Sequence, residues 1–176
     1  MEVLLTPYTE WLGDVMPDVS TEVAIATTTL GSASSTIDFT SIGSTYTDLR
    51  LVITTFTSSA TTMILRFNSD SGANYSSTYI AGNGSSAFSG RFTNKTSLYA
   101  AKGLGSTPQL YTFDIFSYAG STFKTCLFTE IADNNGSGYV DYFVGLWRST
   151  SAITAINLSC DTTFSAGTTA TLYGIL

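Results

Sequence analysis

Apolar residues in this chain recur at every second position, in short stretches cut apart by clusters of Gly, Ser, Thr, Asn and Asp. In DLRLVITTFT, Leu49, Leu51 and Ile53 fall on one side, with Arg50, Val52 and Thr54 on the other. In TMILRF, Met63, Leu65 and Phe67 oppose Ile64 and Arg66. Successive side chains of a strand point to opposite faces, so this pattern marks strands lying between a core and a wetter side. QLYTFDIFSY puts Tyr111, Phe113 and Ile115 together, and STFKTCLFTEI aligns Phe123, Leu127 and Ile131. YVDYFVGLW is read with Val140, Tyr142, Val144 and Leu146 inward and Asp141 outward. EVAIATTTL, TIDFTSI, YSSTYI, AITAINLSC and TATLYGIL complete the series. About eight to ten strands with turn signals every ~8–12 residues predict an all-β, antiparallel β-sandwich, refined to a jelly roll, over residues 21–176.

The connections follow from turn chemistry. NSDSGANY turns the chain with Asx side chains that mimic backbone turns and a glycine that tolerates positive φ. AGNGSSAFSG, Gly-rich and weakly apolar, reads as a long flexible loop. The spacing Asn68, Asp70, Gly72, Asn74 is superficially that of a calcium loop, but the closing acid is replaced by Tyr79, and the turn reading is preferred.

Composition bounds the partners. Charged residues make up 11% of the chain, aromatics 13%, and Ser and Thr together roughly three in ten. Disordered chains share the hydroxyls but lack the aromatic and β-branched residues. The net charge is −6, and the seven basic residues are scattered from Arg50 to Arg148. Phosphate binding needs several Lys or Arg on one face, so neither nucleic acid nor an anionic membrane is an expected partner. The apolar runs are too short to span a bilayer.

Residues 1–20 differ from the rest and are read as an N-terminal docking arm. Pro7 and Pro17 break them, and a short helix over about Thr9–Val15 fits between. Leu4, Leu5, Tyr8, Trp11 and Leu12 are the candidate partner-binding side chains. The segment has no basic n-region and does not read as a signal peptide.

Little in the sequence carries chemistry. Histidine is absent, which removes the usual activation of Ser or Cys nucleophiles and the commonest zinc ligand. Cys126 and Cys160 form no metal spacing and read as buried free thiols. Asp114, Glu130, Asp133 and Asp141 stand on or beside neighbouring strands, where a glycosidase pair is conceivable, but acids on a wet face are usually only solubilising. No catalytic residue, metal or cofactor is assigned. Tyr79, Tyr99, Tyr118 and Trp147 would make a carbohydrate platform if exposed, and core or interface rings otherwise.

Several blocks resemble jelly-roll virion proteins of tailed bacteriophages: YTDLRLVI, LRFNSDSGANYSSTYIAGNGSS, YAGSTFKT, GLWRSTSAITAINLS and FSAGTTATLYGI. The resemblance runs from about Ala24 to the C-terminus; the first twenty residues go beyond it. It implies a non-enzymatic structural protein of the capsid exterior, made in the host cytoplasm. Such a cement, or decoration, protein oligomerises, with a trimer favoured, and staples neighbouring major capsid proteins. The alternative implied is a tail-fibre or baseplate module that binds host glycans through loops such as Ala81–Gly90 and Asp133–Gly138.

Overall fold

The computed structural model describes residues 21–57, 61–104, 107–133 and 135–176. Twelve strands form in these residues, and no helix: β1 (Glu22–Thr29), β2 (Ser34–Phe39), β3 (Asp48–Thr55), β4 (Thr61–Phe67), β5 (Tyr75–Gly82), β6 (Ala87–Lys95), β7 (Leu98–Leu104), β8 (Gln109–Phe116), β9 (Lys124–Asp133), β10 (Gly138–Trp147), β11 (Ile156–Phe164) and β12 (Thr169–Ile175). An eight-stranded sheet runs β1-β12-β3-β8-β9-β10-β5-β6, and a four-stranded sheet runs β2-β11-β4-β7. Every pairing is antiparallel, and the two sheets pack as a sandwich. A jelly roll divides about eight strands between two Greek keys; the eight-plus-four division shows the sandwich and leaves that refinement an expectation.

The β5–β6 hairpin corrects the reading of AGNGSSAFSG as a long loop. Ala81 and Gly82 finish β5, and Ala87 opens β6. Asn83 alone organises the turn between them, its Oδ1 accepting the backbone N–H groups of Ser85 at 3.0 Å and Ser86 at 2.8 Å, with Gly84 at φ +82°. β6 then forms by pairing rather than by pattern, as its side chains are mostly exposed. Gly90 lies opposite Tyr79, whose ring covers it so closely that a Cβ there would sit 2.6 Å from the Tyr79 hydroxyl.

The core between the sheets is apolar and aromatic. Leu49, Leu51 and Ile53 face inward as expected, as do Met63, Leu65 and Phe67, and Tyr111, Phe113 and Ile115. A belt of rings crosses the large sheet along one cross-strand row. Phe113 meets Phe128 at 5.1 Å, Phe128 stacks on Phe143 at 4.5 Å, and Phe143 meets Tyr79 at 5.2 Å between centroids. Offset stacks of this kind contribute about 0.5–1.5 kcal/mol each beyond their burial. Cys126 and Cys160 are both buried free thiols, and complete enclosure pushes the Cys126 thiol up to about 12.

The stretch NSDSGANY is a turn held by its own side chains. The Asp70 carboxylate accepts the Trp147 indole N–H at 2.7 Å, the Asn74 amide at 2.9 Å and the Gly72 backbone N–H at 2.8 Å. Asn68, at φ 52°, accepts the N–H groups of Thr154 at 2.8 Å and Ala155 at 3.0 Å, and so ties the turn to the loop before β11. These polar groups are consumed in shaping the backbone.

Candidate interaction surface

The middle of the large sheet carries large apolar side chains on both of its faces. On the outer side, Leu110 of β8, Leu127 and Ile131 of β9, Val140, Tyr142 and Val144 of β10 and Ile80 of β5 are 37–64% exposed. The register sets them in a grid. Leu110, Ile131 and Val140 form one row, Thr129, Tyr142 and Ile80 the next, and Leu127, Val144 and Thr78 a third. Charge stands only around this grid. Asp114 of β8 holds Arg50 at 2.6 Å, Glu22 lies 3.6 Å from the same guanidinium, Arg91 sits on β6, and Asp133 ends β9.

This overturns the inward placement of Val140, Tyr142, Val144 and Leu146, while Phe123, Leu127 and Ile131, aligned from the sequence, share the outer side. A strand buries one parity, and a slip of one residue exchanges the whole set. On β10 the buried parity is Phe143, Gly145 and Trp147. Phe143 completes the ring belt and Trp147 is bonded to Asp70, while Gly145 leaves room for neighbours that a Cβ would meet at 2.9 Å, Cys126 and Leu98. Two large rings outweigh the valines on the other side. β9 follows, because the pairing of Phe128 with both Phe113 and Phe143 fixes its parity.

The same parity carries polar groups inward. Lys124 is buried and its Nζ donates to the carbonyls of Gly120 at 2.6 Å and Thr122 at 2.5 Å; desolvation lowers its pKa. Glu130 is fully buried, where Oε1 lies 3.1 Å from the Tyr111 hydroxyl. That hydroxyl is also 3.0 Å from Gln109 Oε1, and the Gln109 amide donates to Tyr139 at 2.6 Å. Burial first, and then the Glu130 charge, push the Tyr111 and Tyr139 hydroxyls above their ordinary range. Asp141 stands directly across from Glu130 on β10; its Oδ1 is buried with no hydrogen-bond partner among the described residues, and burial raises its pKa. Glu130 and Asp141 therefore do not line the wet face where the sequence reading put Asp141, and Glu130 is closed off from any polymer.

The candidate platform of aromatics is also divided. Tyr118 and Trp147 are core residues, 0% and 2% exposed, and Tyr118 donates to the Gly43 carbonyl at 2.6 Å. Tyr79 and Tyr99 sit half-buried on either side of Phe92. The two loops proposed for glycans do converge: the β5–β6 and β9–β10 turns flank an open cleft of about 470 Å³, lined among others by Asn83, Ser85, Asp133 and Ser137. The arm residues Leu4, Leu5, Tyr8, Trp11 and Leu12, and the helix read at Thr9–Val15, lie outside the described residues.

No family model, curated protein or solved structure matches the chain.

Proposed function

We propose that the protein is a structural component of a virion, a capsid cement protein that self-associates and staples neighbouring major capsid proteins from outside. One observation carries the contact role: strands β8, β9, β10 and β5 expose seven large apolar side chains on a face with no charge at its centre. LYTFDIF, CLFTEIA and YVDYFVGLW carry large apolar residues at both parities, so that these strands have apolar side chains outward as well as inward. A monomer surface with such a centre and a charged edge has the anatomy of an interface. The virion setting rests on the phage-like sequence blocks, and the acidic balance of −6 suits the outside of a shell better than contact with packaged DNA.

The arm at residues 1–20 is assigned to the capsid partner, leaving the sheet face for the sandwich's own association. Purified particles should then carry the protein in numbers that scale with the capsid lattice, and a count matching a single tail would refute the cement role. The cleft between the two hairpin tips favours a second reading, a tail module binding host glycans. That reading predicts saturable binding to host surface polysaccharide that Asp133→Ala, in the lining of the cleft, diminishes.

A further inference from the structure

The outer face also states which partner fits it. We propose that a second copy of this chain covers it, in a two-fold pair whose axis runs along β10. The inference rests on the contact role above and names the occupant of that surface.

Area is the first argument. The exposed side chains of the grid leave on the order of 600 Å² of apolar surface in water, at the top of the ~300–600 Å² that the largest patch on a monomer reaches. That is close to the ~800 Å² that each partner gives to a stable interface. Sheet faces of this kind stack at ~10 Å with mean strand directions within about 30° of each other, which an axis along β10 satisfies.

Charge is the second. One cross-strand row reads Arg50, Asp114, Leu127, Val144, Thr78, Arg91 across β3, β8, β9, β10, β5 and β6. Asp114 and Arg91 lie two strands either side of β10 and carry opposite signs. Rotation about an axis along β10 sets Val144 on the partner's Val144 and Tyr142 on the partner's Tyr142. It also sets each Arg91 over the partner's Asp114, whose cluster with Arg50 and Glu22 has one negative charge in excess. The face is thus complementary to itself, apolar to apolar in the middle and acid to base at both ends. A chain with net charge −6 repels its own kind elsewhere, and this neutral centre is where two copies can meet.

A ring of three needs two different complementary surfaces on each subunit. Here most of the exposed large apolar side chains of the described residues lie on one surface, which favours a closed pair over the trimer expected from the sequence.

Sedimentation velocity of the full chain tests the pairing. The wild type should sediment as two chains, twice the 18.7 kDa chain mass. Val144→Lys, and independently Thr78→Lys, should weaken the dimer by roughly 100-fold, as a charge at the centre of an interface does, with an unchanged circular dichroism spectrum. Thr78 is exposed and not a member of the buried core, so this second substitution tests the face apart from the fold. Arg91→Glu should weaken pairing by about tenfold, and Asp114→Arg added to it should restore it. A wild type that sediments as one chain or as three overturns the proposal, as do lysine variants that pair normally or a charge swap that restores nothing. Particle occupancy is measured apart from this: pairing in solution without particle binding refutes the virion role alone, and particle binding by single chains refutes the pairing alone.

Discussion

Asp70 and Asp141 are two aspartates on which the same fold acts with opposite sign. The Asp70 carboxyl is held below the ordinary range, first by the Trp147 indole and then by Asn74, against a smaller opposing effect of burial. A carboxyl whose folded pKa is depressed contributes stability above its unfolded value, near ~3.9, and loses it as pH falls through the folded value. Asp70→Ala should cost about 2–3 kcal/mol at neutral pH, the scale of hydrogen bonds to a charged group. In urea melts of the two proteins the difference should shrink below pH ~4; a difference that persists at low pH would mean that packing, not charge, is lost. Asp141 is the reverse case. Burial raises its pKa, so the ionised form is a burden that grows as pH rises through the folded value. Asp141→Asn should therefore raise the thermal midpoint at neutral pH, and the gain should vanish below the unfolded pKa, near ~3.9. A lowered midpoint at neutral pH would show that the carboxylate is held by a favourable partner.

At the scale of elements, β9 and β10 show where pattern reading succeeds and where it stops. Ten of the twelve strands were legible, because alternation and turn chemistry agreed. β6 and β7 were not. β6 is an edge strand that buries little and pairs only because Asn83 and Gly84 return the chain onto β5. Parity failed where both parities are apolar, since Val140, Tyr142 and Val144 look as buriable as Phe143 and Trp147 until the ring belt and the Asp70 bond are in place. Large apolar residues at both parities of these strands were the missed signal of an apolar outer face. Neighbouring substitutions check the assignment. Phe143→Ala should cost about 3–5 kcal/mol in urea denaturation, whereas Val140→Ser, 47% exposed, should stay within about 0.5 kcal/mol for the isolated chain. The opposite ranking would restore the inward placement of the valines. Gly145→Ala offers an independent measure, because its Cβ would meet Cys126 and Leu98 at 2.9 Å and Phe128 at 3.2 Å. Overpacking of that kind costs about 1–3 kcal/mol.

For the whole molecule, the chain closes its sandwich with its last strand. β12 is inserted between β1 and β3, and the Leu176 N–H reaches the Thr21 carbonyl at 3.1 Å, so the start of the described residues is tied to the end of β12. The core cluster of described residues draws its members from Ile37 to Leu172, with Ile25 and Leu30 packed against it. Removing β12 would expose Ala170 and Leu172 and leave β1 and β3 without their shared partner, so a chain ending at Gly167 should not fold. Residues 1–20 lie outside the described residues, and their reading as an arm beside the domain predicts that deleting them leaves the sandwich folded. The truncated protein should keep its far-ultraviolet spectrum and a cooperative melt shifted by no more than about 4 °C, the effect of roughly 1 kcal/mol in a domain of this size. Pairing through the sheet face should survive as well, since β10 lies far across the sheet from β1. On the proposed cement role particle binding should not survive, because Leu4, Leu5, Tyr8, Trp11 and Leu12 are the side chains assigned to the capsid partner, and ~25 cal/mol per Å² of arm surface buried there would be repeated at every site of the lattice. Co-sedimentation of the truncated protein with particles decides the matter: occupancy equal to the full chain's would move the capsid contact from the arm to the sandwich, and loss of both occupancy and folding would place the arm in the domain rather than beside it.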